Sequence, residues 1–171
     1  RILVHTLNDL NRLKDIGLVE NVSLFPHGII DSFSVRKNKL SAPIIHKNKF
    51  HLVIASFGFC LPNKGFAQLL NAIALLKKTN HYIKLNLFSA IYNDSFFYHY
   101  EELVDLIKCL DIEELVCINK DYLTLEEIQN YLSGHDLVIF PYQQSTTESS
   151  SAAVRDALAS LTPVLVTPLP I

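Results

Sequence analysis

The chain has 171 residues, 49% of them apolar and 19% charged, and a net charge of -2 from 15 basic and 17 acidic side chains. That length is one domain, or one domain with part of a neighbour, and the apolar share supports a real core and excludes disorder. The near-neutral balance excludes nucleic-acid binding driven by phosphate neutralisation, and no apolar run reaches the roughly 20 residues that span a bilayer.

In chain order, Ile2 to His5 reads as a short strand. Leu7, Leu10, Leu13 and Ile16 then recur at helical spacing, and Gly17 suits the helix end. Val22 to Phe25 is a second strand, stopped by Pro26-His27-Gly28. Residues 29–49 carry Arg36, Lys37, Lys39, Lys47 and Lys49 among Ser, Asn and Pro, without a period, and read as a linker. A stronger pattern opens at Phe50. His51 to Phe57 is a buried strand by composition, and Gly58 to Gly65 is a loop. A helix follows with Phe66, Leu69, Leu70, Ile73 and Leu76 on one side and Lys77-Lys78 in its last turn. Ile83 to Phe88 is a strand, and 95–110 a helix with Tyr98, Leu103, Leu106, Ile107 and Leu110 inward. Leu115 to Ile118 is a strand. Thr124 and Glu127 have the spacing of a capping box, for a helix that stops at Gly134. Leu137 to Phe140 is a strand, Ser149 to Ser160 a helix, and Val164 to Val166 a strand.

Apolar runs each followed by a helix predict an α/β, Rossmann-like parallel sheet with helices on both faces. Ligands of such sheets bind beyond the carboxyl ends of the strands, where the strand order reverses. The loops after Phe57, Phe88, Ile118 and Phe140 are therefore the places where a site is expected.

Cys60, Cys109 and Cys117 form an odd set with no close pair, which argues against disulfides and against a Cys-rich zinc site. They read as buried small apolar side chains in a reducing compartment. The seven histidines show no ligand spacing, so no metal site is expected.

Two loops carry chemistry. In the first, Gly58 to Gly65, Lys64 can reach an anion held over the strand ends, beside the amino end of the next helix. It is neither a P-loop nor a dinucleotide fingerprint. The plain alternative is a turn with a solvated lysine. The second loop, Tyr142 to Ser151, is rich in hydroxyls and leads into a helix. Ser149, Ser150 and Ser151 offer N–H and O–H donors, and Glu148 and Asp156 are acceptors about two turns apart. The plain alternative is that Thr147 or Ser149 caps the helix and both acids are solvated.

The second loop and its helix, Leu137 to Ala159 followed by Thr162-Pro-Val-Leu-Val-Thr167, resemble the nucleotide-sugar-binding half of retaining glycosyltransferases of the GT-B fold. The nearest group is the "glycosyl transferases group 1" family, whose Glu-x7-Glu reads here Glu148-x7-Asp156. Gly58 to Gly65 resembles that family's Gly-Arg-Leu-x-x-x-Lys-Gly loop, and His27-Gly28 its junction between two domains. The resemblance implies that residues 1–28 are a remnant of an amino-terminal Rossmann-like domain, 29–49 a linker, and 50–171 a donor domain truncated at its carboxyl end. The absent methionine and the close on Pro170-Ile171 fit a segment of a longer protein.

The resemblance further implies transfer of a sugar from a nucleoside-diphosphate donor to a hydroxyl acceptor, with retention. The setting would be glycan or polysaccharide synthesis in the cytoplasm, with no cofactor beyond the donor. By position, Lys64 would hold the diphosphate, with Gly58 in the same loop. Glu148, the catalytic candidate, would contact the donor sugar. Ser149, Ser150 and Ser151 would offer backbone N–H groups, and Asp156 would hold the ribose hydroxyls. Phe59 replaces the family's loop arginine, and Arg155 and Lys120 are the candidate substitutes. A glycan or lipid-linked acceptor would bind through the missing domain, so this chain alone is expected to lack transferase activity. Peripheral membrane contact is common in the family. Here its one hint is the basic stretch 29–49, whose simpler reading is a solvated connection. Two other readings stay open: a non-catalytic α/β regulatory or scaffold module, and a sugar-nucleotide 2-epimerase of the same fold.

Overall fold

The structure, a computed structural model, describes residues 1–29, 52–79, 81, 83–144 and 151–169. The expected linker lies almost wholly outside these, as do Glu148, Ser149 and Ser150. The described strands are β1 (Ile2–Val4), β2 (Val22–Leu24), β3 (Leu52–Phe59), β4 (Ile83–Ala90), β5 (Val116–Asn119), β6 (Leu137–Phe140) and β7 (Val164–Val166). The helices are α1 (Leu7–Asp15), α2 (Phe66–Lys78), α3 (Phe97–Cys109), α4 (Leu125–Ser133) and α5 (Ala152–Ala159).

Strands β1 and β2 pair in parallel as a small sheet of their own. The other five form one parallel sheet in the order β5-β4-β3-β6-β7. The alternation of side chains along a strand assigns the two faces. Ile54, Leu137 and Ile139 belong to the core shared with Phe66, Leu70 and Ile73 of α2 and Leu103 and Ile107 of α3. Their neighbours Ala55, Val138 and Phe140 belong to the core shared with Ile128 and Leu132 of α4 and Ala157 of α5. Helices therefore cover both faces, which is why these strands read as unbroken apolar runs. After β5 the chain returns to the other side of β3, so the order reverses between β3 and β6.

Several local expectations change. Strands β3 and β4 each run two residues further than expected, because Gly58 pairs with Ser89 and Phe59 with Ala90. Gly58 and Phe59 thus end a strand rather than open a loop. Tyr98 is 51% exposed, not inward. At about 100° per residue it sits some 140° around the helix from Leu103, off the apolar stripe. The last helix opens at Ala152 rather than Ser149, with Ser151 as its N-cap. The capping box of Thr124 and Glu127 forms as expected. Cys60 is buried, but Cys109 and Cys117 are exposed. Cys109 is the last residue of α3, and Cys117 lies on the edge strand β5. No residue of α1 is buried, because only a two-stranded sheet lies beside it.

Candidate functional site

One cavity of about 440 Å³ opens beyond the carboxyl ends of β3, β4 and β6, at the point of reversal. That volume suits a small-molecule site, for which roughly 300 Å³ is the lower bound. Gly58, Lys64, Ser151 and Asp156, four of the residues singled out in the sequence, line it together.

The first wall is built by the turn after β3. Pro62 opens one 3-10 turn, Pro62–Lys64, and Gly65 ends it in the left-handed region at φ +72°. The turn lies directly on the residues that follow β6. Gln143 donates its N–H to the Asn63 carbonyl at 2.9 Å. The Lys64 side chain is buried, with Nζ 4.4 Å from the centre of the Tyr142 ring. Lys64 is therefore not a solvated lysine. A cation above an aromatic face, with its stem covered, is held in one position.

Tyr142 joins three elements. Its ring faces Lys64, its hydroxyl lies 3.1 Å from Ser151 Oγ, and its carbonyl accepts the Thr167 hydroxyl at 2.7 Å. Ser151 Oγ also accepts the Val154 N–H at 3.4 Å. The Ser151 hydroxyl is thus engaged within the protein, as an N-cap. Neither Tyr142 nor Gly65 was singled out in the sequence. Their one legible signal is position, directly after the Pro141 that ends a strand and directly before a helix.

Asp156 projects from the second turn of α5 and is half-buried at the cavity wall. Burial raises its carboxyl above the ordinary 3.8, and nearby His27 opposes the shift. The Arg155 guanidinium donates to the His27 carbonyl at 2.8 Å. Lys120 lies over the rings of Phe97 and Tyr100. Among the described residues, neither cation lines the cavity.

His27 ties residues 1–29 to α5. Its ring stacks on His5, centroids 3.7 Å apart. Burial lowers its pKa below the ordinary 6.5, as do His5 and Arg155, while Asp156 works the other way. Between the lowered value and 6.5 the unfolded chain binds more protons than the folded one, so stability rises with pH through that window. The stabilisation is lost as pH falls through that window. We expect the His27 ring to titrate below 6.5 by NMR. His27→Gln should flatten the slope of the urea midpoint between pH 5 and 7, a range set by the imidazole titration. An unchanged slope would contradict this.

No protein-family model matches the chain, and no curated protein sequence matches it. Solved structures do match. Trehalose-6-phosphate synthase OtsA superposes with a TM-score of 0.73 at 13% identity, over 97% of this chain and 45% of that one. Sucrose-phosphate synthase from Thermosynechococcus elongatus gives 0.71 at 16% identity, over 98% of this chain and 40% of the other. Anabaena HepE, solved with UDP and glucose, gives 0.67 at 15% identity, over 96% and 43%. This chain has the GT-B glycosyltransferase fold. It spans less than half the length of each of these three structures. At such identities the likeness is one of fold, and the chemistry must be argued from the residues of the cavity. Among the described residues, no group of His, Cys, Asp and Glu is arranged to hold a metal ion, and no helix is long and apolar enough to cross a membrane.

Proposed function

We propose that this chain binds a nucleoside-diphosphate sugar and forms the donor half of a retaining glycosyltransferase. The observation that carries this reading is the convergence of Lys64, from the turn after β3, with Asp156, from α5, on one cavity at the switch point. A cation and a carboxylate from two different elements lining one pocket suit a ligand with both phosphate and hydroxyl groups. The matching structure solved with UDP and glucose adds support for a nucleotide sugar.

In this reading Lys64 and the amino end of α5 face the diphosphate. As the glycosidic bond breaks, charge builds on the departing phosphate oxygen, and fixed positive groups stabilise it without reorganising. Asp156 accepts from the ribose hydroxyls. Glu148 contacts the donor sugar, and the backbone N–H groups of Ser149 to Ser151 complete the anion site. The acceptor, a glycan or lipid-linked hydroxyl, binds to a preceding domain, of which residues 1–28 are the last part. The separate β1–β2 sheet supports that division.

A scaffold module offers no reason for a buried lysine and a half-buried carboxylate to share a cavity. A 2-epimerase needs histidine and acid side chains converging, and among the described residues the cavity lining includes no histidine. Calorimetry with UDP, GDP, ADP and their sugars tests the proposal. Binding of at least one in the micromolar range is expected, and binding of none refutes it. Glu148→Ala should remove the affinity that the sugar adds over the bare diphosphate; an unchanged difference would strip Glu148 of its role.

A further inference from the structure

We infer that Tyr142 is the positioning residue of the anion site, its ring face holding the Lys64 ammonium at the cavity so that diphosphate affinity depends on that ring. This rests on the reading of Lys64 as the partner of the diphosphate, and it adds the residue through which that lysine is aimed.

Lys64, Tyr142 and Ser151 all line the cavity. Lys64 Nζ lies 4.4 Å from the centre of the Tyr142 ring, and both residues are buried. The face of an aromatic ring is its negative side, and it attracts a cation more strongly where water is excluded. A carboxylate in that place would hold the lysine too, but it would cancel the charge that a phosphate is to meet. A ring face fixes the cation and leaves its charge in place. A lysine already placed also loses less rotamer freedom when the phosphate arrives.

The ring is fixed in turn. Phe140 meets it edge-on, centroids 5.6 Å apart at 72°, and Phe57 braces Phe140 at 5.5 Å and 66°. The hydroxyl meets Ser151 Oγ, at the N-cap of α5, at 3.1 Å. The Tyr142 carbonyl accepts from Thr167, just past β7, at 2.7 Å. Gln143, the next residue, donates its N–H to the carbonyl of Asn63, the residue before Lys64. The turn that carries the lysine and the backbone that carries the tyrosine are therefore pinned together. The ring also reaches from that lysine to the amino end of α5, so the two positive features of the site are set by one side chain.

The test changes the charge of the ring face while keeping its shape. The 171-residue chain is compared with Tyr142→Phe and with pentafluorophenylalanine at the same position, whose fluorines remove the negative face. Both are made again in the Lys64→Ala background. Calorimetry reads UDP, GDP and ADP, and ligand-observed NMR reads uridine, guanosine and adenosine. Tyr142→Phe should stay within about threefold of the parent for whichever diphosphate binds, since only the Ser151 contact is lost. The fluorinated ring should weaken that diphosphate by about tenfold relative to Tyr142→Phe and leave its nucleoside unchanged. In the Lys64→Ala background fluorination should change neither. A ring that merely supports the fold would weaken nucleoside and diphosphate alike, with or without Lys64. That result, or a fluorinated ring that binds the diphosphate as Tyr142→Phe does, overturns the inference and leaves the donor-site reading standing. Binding of none of the three diphosphates to the parent overturns both.

Discussion

Gly65→Ala is expected to destabilise the chain by roughly 3 kcal/mol or more and to abolish nucleotide binding together. A Cβ on Gly65 would stand 1.8 Å from the Pro141 carbonyl oxygen and 2.7 Å from its carbon. Both are backbone atoms, so no side chain can swing aside to relieve the clash. The turn can yield only by lifting off the end of β6. That would break the bond from Gln143 to Asn63 and carry Lys64 away from Tyr142. Gly65 also sits at φ +72°, where any L side chain adds strain of about 1–2 kcal/mol. Gly17 separates the two effects. It has φ +88° with nothing within 4 Å of its would-be Cβ. Gly17→Ala should therefore cost only the conformational part, about 1–2 kcal/mol. Urea denaturation of both variants gives the comparison. Equal losses would mean that the contact with Pro141 contributes nothing.

The architecture was legible because it rests on period and punctuation. Leu137 to Phe140 is apolar throughout since both of its faces are covered, and Thr124 and Glu127 cap their helix through bonds that depend on local spacing alone. What was hidden depends on tertiary partners. Gly58 and Phe59 are turn-like by composition but follow β4 into the sheet, because Ser89 and Ala90 continue beside them. Cysteine composition does not say which face of an edge strand looks outward, and Cys117 looks outward. In the site, Lys64 and Asp156 were found because charge at a strand end is conspicuous. Tyr142 escaped because an aromatic residue after a strand reads as core, and its work is done by the ring face, hydroxyl and carbonyl at once. The hydroxyl of Ser151 serves Tyr142 and Val154, and the pairing with Tyr142 depends on tertiary contact and has no signal in the sequence. The site's acid pair is only half visible in the structure, since Glu148 lies outside the described residues.

Asp156→Asn is expected to stabilise the chain while weakening nucleotide binding by about 100-fold. The two effects have one cause. Burial disfavours the ionised carboxyl, so its pKa in the folded chain lies above 3.8. From 3.8 up to that raised value the folded chain binds more protons than the unfolded one, and stability falls as pH rises through the window. At pH 7 the folded state holds a carboxylate whose desolvation, among the described residues, His27 alone opposes, and His27 is itself biased towards the neutral form. An amide of the same shape carries no such penalty. The urea midpoint of Asp156→Asn at pH 7 should therefore exceed that of the parent, with the gap closing towards pH 3.8. The loss of affinity follows from donor and acceptor inventory. A carboxylate accepts from two ribose hydroxyls, each bond to a charged acceptor being worth about 1.5–3 kcal/mol, whereas an amide has one acceptor oxygen and two donors. A residue that destabilises the fold and tightens the ligand is retained for the ligand. Parent affinity for a nucleotide should also rise with pH as Asp156 ionises, and that dependence should vanish in the variant. If Asp156→Asn instead destabilised the chain and left affinity alone, the carboxylate would be a strut for His27, and the ribose would have to be held elsewhere.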